Sequence, residues 1–170
     1  MQTSHVGLLV RCTSTERMPK RSRAVEAHAE AAGPQHWLLK SEPDDYSIDD
    51  LARDSWTVWD GVRNAVARKN LRAMRVGDEC IYYHSSCGKH VGAVGTCRVK
   101  REAYADPADD KWVVVDVTFQ SKFQDLLSLP ALKAEQEGAL SGCVLFSQPR
   151  LSVQPLSEAH FAQFLRMADA

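Results

Sequence analysis

The apolar positions of the chain change period several times, and each change marks an element. Trp37, Leu38 and Leu39 form a short apolar run that ends in Lys40-Ser41-Glu42-Pro43, which predicts a strand stopped at the proline. Ser47 with Asp50 three residues on resembles a capping box and starts a helix that buries Ile48 and Leu51. After a turn at Trp59-Asp60-Gly61-Val62-Arg63-Asn64, Ala67, Leu71 and Met74 recur at helical spacing, with Arg68, Arg72 and Arg75 on the neighbouring stripe. The first stripe is expected to meet the core and the second the solvent. Gly77-Asp78 is a turn signal. Glu79 to His84 and Val91 to Val99 then read as strands, and Gly92 and Gly95 in the second predict a bulge or tight curvature.

The clearest strand is Trp112 to Phe119, where Val113, Val115, Val117 and Phe119 alternate with Val114, Asp116 and Thr118. A short helix around Leu129–Glu135 follows, then strands near Val144–Ser147 and Arg150–Val153. Ser157 caps a closing helix whose apolar face holds Phe161, Phe164 and Leu165. Short strands interspersed with short helices predict an α+β fold, a curved mixed sheet or small barrel with helices at its periphery.

The length of 170 residues argues for one domain plus a tail, divided here as 1–35 and 36–170. The tail lacks sustained periodicity. Arg11, Arg17, Lys20, Arg21 and Arg23 make it basic, which is compatible with an organelle transit peptide or with a nuclear signal around Lys20–Arg23. A solvated tail with no such role fits as well. An intracellular protein is expected, the nucleus favoured over mitochondrion or cytoplasm. Five cysteines without CxxC spacing fit a reducing compartment. No apolar run approaches the roughly 18 residues of a membrane span, so no membrane partner is expected.

Charge narrows the choice of ligand. The chain has a formal charge of -1, and residues 36–170 carry 16 Lys/Arg against 19 Asp/Glu. Such a domain will not hold phosphate chains by bulk attraction, so nucleic acid would need a local pocket and patch. Residues Ala65 to Arg75 supply a candidate patch, with Arg68, Lys69, Arg72 and Arg75 and no acid. The Trp59–Asn64 turn combines an aromatic, a carboxylate and a guanidinium at a helix entrance, where anions bind readily. A buried tryptophan beside a solvated basic helix is the plainer alternative.

Lys40, Ser41 and Glu42 project polar groups from a strand end, and Glu42 can accept from an exocyclic amine. They also fit an ordinary surface pair. Tyr83, His84 and Ser85 end another strand, with Cys80, Tyr82 and His84 on one face and Ile81 and Tyr83 on the other. Cys80, His84, Cys87 and His90 are four candidate metal ligands in a short span. Cys80 and His84 would lie about 13 Å apart along a strand at about 3.3 Å per residue, too far for one tetrahedral ion, so no metal and no cofactor is expected. Ser41 between Lys40 and Glu42, or Cys87 near His84 or His90, offers a nucleophile, but no nucleophile elbow, P-loop, GxGxxG or HExxH accompanies it.

Several segments together resemble one family. His36–Pro43, Tyr46-Ser47-Ile48, Trp59–Asn64, Leu71–Met74, Gly77-Asp78, Tyr83–Ser85 and Arg150–Pro155 occur in the order of the EVE domain, a member of the PUA-like superfamily. The resemblance runs from about His36 to Arg166. It implies a PUA-like pseudo-barrel related to YTH and ASCH domains. It also implies a non-catalytic monomeric reader of nucleic acid bearing a modified base, with modified cytosine in DNA favoured and modified RNA second. The alternatives are an ASCH-type nucleobase or nucleoside amidohydrolase using Lys40, Ser41 and Glu42, and an RNA-binding accessory module.

Carried onto this chain, the resemblance makes the base pocket Trp37, Lys40, Ser41, Glu42, Pro43, Trp59, Gly61, Val62, Arg63, Asn64, Tyr83, His84, Ser85 and Ser152. Phosphates are expected on Arg63, Arg68, Lys69, Arg72 and Arg75. The chain departs from the family pattern twice. Ala65 and Val66 stand where an aromatic and a glutamine are usual, and the loop between Tyr104 and Trp112 is short.

Overall fold

The computed structural model describes residues 35–169, so the tail reading, with its targeting signals, lies outside the described residues except for Gln35. Six strands form one open mixed sheet in the order β2 (Trp56–Trp59), β5 (Val113–Ser128), β4 (Gly92–Ala105), β3 (Glu79–His84), β1 (His36–Ser41) and β6 (Val153–Leu156). The interior pair β1 and β3 is parallel, and every other pairing is antiparallel. Among the described residues no helix is long and apolar enough to cross a membrane.

Strand alternation decides what each face buries. Trp37, Leu39, Cys80 and Tyr82 point to one side, where they pack with Ile48 and Leu51 of α1 (Ile48–Asp54) and with Ala67 and Leu71 of α2 (Ala65–Ala73). Leu38, Ile81 and Tyr83 point to the other. There they meet Leu132 of α3 (Leu129–Ala134), Leu145 of α4 (Val144–Ser147), and Phe161 and Phe164 of α5 (Glu158–Ala168). The sheet is therefore the middle layer of three.

The caps expected at Ser47 and Ser157 form, and Asn64, expected in a pocket, provides a third that the sequence reading did not assign. Ser47 Oγ accepts from the Asp50 amide and the Asp50 carboxylate accepts from the Ser47 amide, closing the capping box. Asn64 caps α2 by accepting from the amides of Val66 and Ala67. Asp78 in the predicted turn does more than turn the chain. Its buried carboxylate accepts from the Gln35 amide, the Trp37 indole and the Arg75 amide, each at 2.9 Å, so it ties the start of β1 to the end of α2.

Four sequence expectations change. Trp56–Trp59 forms β2, an edge strand that pairs with β5 (Val113–Ser128). Val144–Ser147 is a helical turn rather than a strand; its short apolar run has no period long enough to tell the two apart. The last strand is β6, at Val153–Leu156 rather than Arg150–Val153, and its Pro155 is tolerated because β6 lies at the sheet edge. β4 (Gly92–Ala105) and β5 run well past their apolar cores, with register shifts along their pairing. Both glycines of β4 are required by this crowding. A Cβ on Gly92 would fall 2.2 Å from the Leu127 carbonyl oxygen, and one on Gly95 would fall 2.3 Å from that of Ser121.

Candidate functional site

The parallel pairing of β1 with β3 puts their carboxyl ends side by side, the usual place for a ligand crevice in such sheets. A cleft of ≈ 730 Å³ opens there, within the size range of small-molecule sites. The end of β1 contributes Lys40, Ser41 and Glu42, and the segment after β3 contributes Ser85 and Ser86. The β2–α2 turn supplies Trp59, Asp60, Gly61 and Val62 as one wall. The α4–β6 connection supplies Pro149, Arg150 and Ser152 as another, and Asp45 and Tyr46 line the side. Gly61 has φ 70, a left-handed backbone that glycine takes without strain.

Backbone bonds lock these walls together. The Ser85 amide donates to the Ser41 carbonyl at 2.8 Å, and the Lys40 amide donates to the Ser152 carbonyl at 2.9 Å. The Tyr46 carbonyl accepts from both Ser41 Oγ and the Tyr82 hydroxyl. Trp59 is held edge-on to Tyr82, with ring centroids 5.4 Å apart. The cleft carries two cations, Lys40 and Arg150, and three carboxylates, Glu42, Asp45 and Asp60. Lys40 Nζ donates to the Pro149 carbonyl at 2.8 Å and lies 5.3 Å from the centre of the Tyr83 ring. Burial lowers its pKa from 10.5 to about 8.

Eight of the predicted pocket residues therefore share one cavity: Lys40, Ser41, Glu42, Trp59, Gly61, Val62, Ser85 and Ser152. The other six lie elsewhere. Trp37 is buried at 4% exposure with its indole N–H on Asp78. Pro43 lies just beyond the lining. Arg63 rests its guanidinium on the Trp112 ring at 4.4 Å, and the Asn64 side chain is taken up by capping α2. Tyr83 faces the opposite side of the sheet, under Lys40. His84 lines a separate small cavity, where Nε2 accepts from the Ile48 amide. Burial lowers its pKa, with Asp49 opposing and Lys122 adding to the shift, which suits that acceptor role.

Sequence reasoning missed Asp45, Tyr46, Thr57, Val58, Asp60, Ser86, Pro149 and Arg150 as lining residues. Tyr46, Asp60 and Arg150 belong to the very segments that carry the family resemblance, so that signal was available. Thr57 and Val58 belong to the unpredicted β2, and nothing local marked them.

The predicted phosphate stripe is partly engaged. Arg63 and Arg68 both approach Trp112, at 4.4 and 4.8 Å, and no ion pair involves Arg63, Arg68, Lys69 or Arg72 among the described residues. Arg75 differs, since it faces Glu102 at 3.9 Å and donates to the Met74 carbonyl. Trp112 ends the shortened loop, so that loop packs on the basic face instead of leaving it bare. Asp109 accepts from its indole N–H at 3.0 Å.

The nucleophile arrangements do not assemble. Ser41 Oγ donates to the Tyr46 carbonyl, and neither Lys40 nor the Glu42 carboxylate holds it, so the contact that activates a serine is not made. Burial raises the Cys87 thiol pKa, and His84 is committed to Ile48. Cys80 lies in the core opposite Cys97 on β4.

The fold and site define a three-layer α+β domain with a polar, ligand-sized cleft at the carboxyl ends of a parallel strand pair. Comparison with known proteins places it more closely. The family model described as the EVE domain matches residues 35–167, and the chain belongs to that family. Thymocyte nuclear protein 1 of Homo sapiens is 36% identical, the match covering 74% of this chain and 70% of that protein. The Danio rerio protein of that name is 34% identical over 84% of this chain and 79% of its own length. Among solved structures, the human THYN1 protein in complex with 5-methylcytosine-containing DNA superposes with a TM-score of 0.74 at 34% identity. That match covers 80% of this chain and 98% of the other. A Pseudomonas putida protein superposes with a TM-score of 0.72 at 39% identity, covering 78% and 99%.

Proposed function

We propose that this protein is a non-catalytic reader of nucleic acid bearing a modified base, with modified cytosine in DNA the favoured ligand and modified RNA the second. The observation that carries the reading is the cleft itself. It has aromatic side chains, Trp59 and Tyr46, beside carboxylates and hydroxyls that can bond the polar edge of a flipped base. The DNA complex of a 34% identical relative supports the ligand class.

In this reading the base enters between the end of β1 and the β2–α2 turn. Its face lies against Tyr46 or the small part of Trp59 that the core leaves exposed (7%), and Glu42, Asp45 or Asp60 accepts from an exocyclic amine such as N4 of cytosine. Arg63, Arg68 and Arg72 lie outside the cleft and take phosphates. Stacking contributes roughly 1–3 kcal/mol and flipping costs a few kcal/mol, so single strands and damaged duplexes bind better unless the modification adds contacts. Nuclear residence belongs to the same proposal, resting on the basic tail and on the relatives' name.

The test is a binding screen across modified and unmodified DNA and RNA oligonucleotides, single- and double-stranded. Preference for a modified base supports the reading, and equal affinity throughout overturns it. The amidohydrolase alternative predicts product release from acylated nucleosides, abolished by Lys40→Ala or Ser41→Ala. The Ser41 hydrogen bonding described above favours the reader.

A further inference from the structure

A second cavity of ≈ 420 Å³ adjoins the main cleft. Lys40, Ser85, Ser86 and Pro149 line both, so the two meet at the ends of β1 and β3. Ser86 holds φ 59, a left-handed conformation uncommon for serine, at the point where the chain turns between them.

The second cavity differs from the first in charge. It carries Lys40 and Lys133 with no carboxylate, whereas the first carries three. Its apolar surface comes from Leu129, Leu145 and Phe146. Lys40 is bonded to the Pro149 carbonyl, but three other polar groups are uncommitted among the described residues. The Tyr83 hydroxyl, the Lys133 ammonium and the Gln136 amide make no side-chain hydrogen bond or ion pair there. The Tyr83 hydroxyl is protonated at neutral pH, as for any tyrosine, and burial pushes its pKa up to about 12. An aromatic wall, free hydrogen-bonding groups and unopposed cations suit a nucleobase joined to a phosphate, and a strand already held in the neighbouring cleft would present one.

We propose that this second cavity holds the nucleotide adjacent to the flipped base, its base against Phe146 and Leu129 and its phosphate on Lys133. The inference rests on the reader function proposed above. The domain then grips two consecutive nucleotides, with Lys40 in the partition between them. Tyr83 and Gln136 bond the edge of the second base and give a sequence preference on one side of the modification.

Fluorescence anisotropy with labelled single-stranded oligonucleotides tests this. Each carries one modified cytosine, with the neighbour on the 5′ side, the 3′ side or neither made abasic. The wild type should lose about 5- to 150-fold in affinity when the base is removed on one side only, as stacking on an aromatic predicts. In the variant Lys133→Glu/Gln136→Ala, both on exposed positions of the fold, that one-sided loss should shrink to under about twofold, because charge reversal expels the nucleotide. Equal losses on both sides, no loss on either, or a loss that persists undiminished in the variant would overturn the second subsite. Wild-type preference for modified over unmodified cytosine is read in the same titrations. Its retention without one-sided dependence sinks only this inference, and its absence sinks the reader function and this inference with it.

Discussion

Salt dependence offers the sharpest test of where the strand lies. Arg63 and Arg68 are held by Trp112, Arg72 is exposed one turn beyond Arg68 on α2, and none of the three is paired with a carboxylate among the described residues. Each cation that meets a phosphate of a single strand adds about 0.7 to the slope of log affinity against log salt. Replacing all three by glutamine should therefore flatten the slope by about 2. Between 50 and 200 mM salt the wild type should lose roughly 20-fold more affinity than the triple variant. Arg75→Gln serves as the contrast. Its guanidinium already faces Glu102 and caps the Met74 carbonyl, so its slope should change by well under about half of one phosphate contact. Anisotropy titrations at four salt concentrations measure both, with thermal melts confirming that each variant folds. Parallel slopes for the wild type and the triple variant would refute the assignment and move the phosphates to another face.

Three further outcomes follow from the packing. Asp78→Ala should cost about 3 kcal/mol in urea denaturation with m unchanged, because the buried Trp37 indole loses its acceptor; a loss under about 1 kcal/mol would show that the hub is dispensable. Gly95→Ala should cost about 1–3 kcal/mol by overpacking against the Ser121 carbonyl, while Gly138→Ala, whose Cβ meets nothing closer than 3.4 Å, should be nearly neutral. Lys40 gives a pH signature. Its folded pKa lies below its unfolded one, so the unfolded chain binds the extra proton between about 8 and 10.5, and stability rises with pH across that window. The penalty is fully present below pH 8. Lys40→Met should therefore be more stable than the wild type at pH 7, with the gap narrowing by pH 9.5, before tyrosine ionisation enters. A gap independent of pH would place the effect in packing instead.

Most of the fold was legible because its elements repeat a local period. Ser47 with Asp50, the Ala67-Leu71-Met74 stripe, Glu79–His84 and Ser157 with its phenylalanines each declare themselves within a few residues. The elements that misled are the ones whose signal is short or absent. Val144–Ser147 is too brief to show a period, Trp56–Trp59 follows α1 almost without a break, and residues 120–125 of β5 are mostly exposed and do not alternate. The site was half legible. Lys40, Ser41, Glu42 and the Trp59–Val62 wall stand in recognisable segments, but Trp37 looked like a pocket aromatic until Asp78, far along the chain, claimed its indole.

By itself the sequence determined the α+β class, the family, the caps of α1 and α5, and which residues of β3 share a face. Those properties depend on neighbours within one or two turns, and the chain states them wherever it runs. Only the tertiary structure decided which polar groups share a cavity and which are already committed. It gave His84 to the Ile48 amide, brought Arg150 to the mouth of the cleft and laid Trp112 across Arg63 and Arg68. Each of these follows from contacts between residues distant in the chain, set by the parallel pairing of β1 with β3 and the crossing of the loops around it.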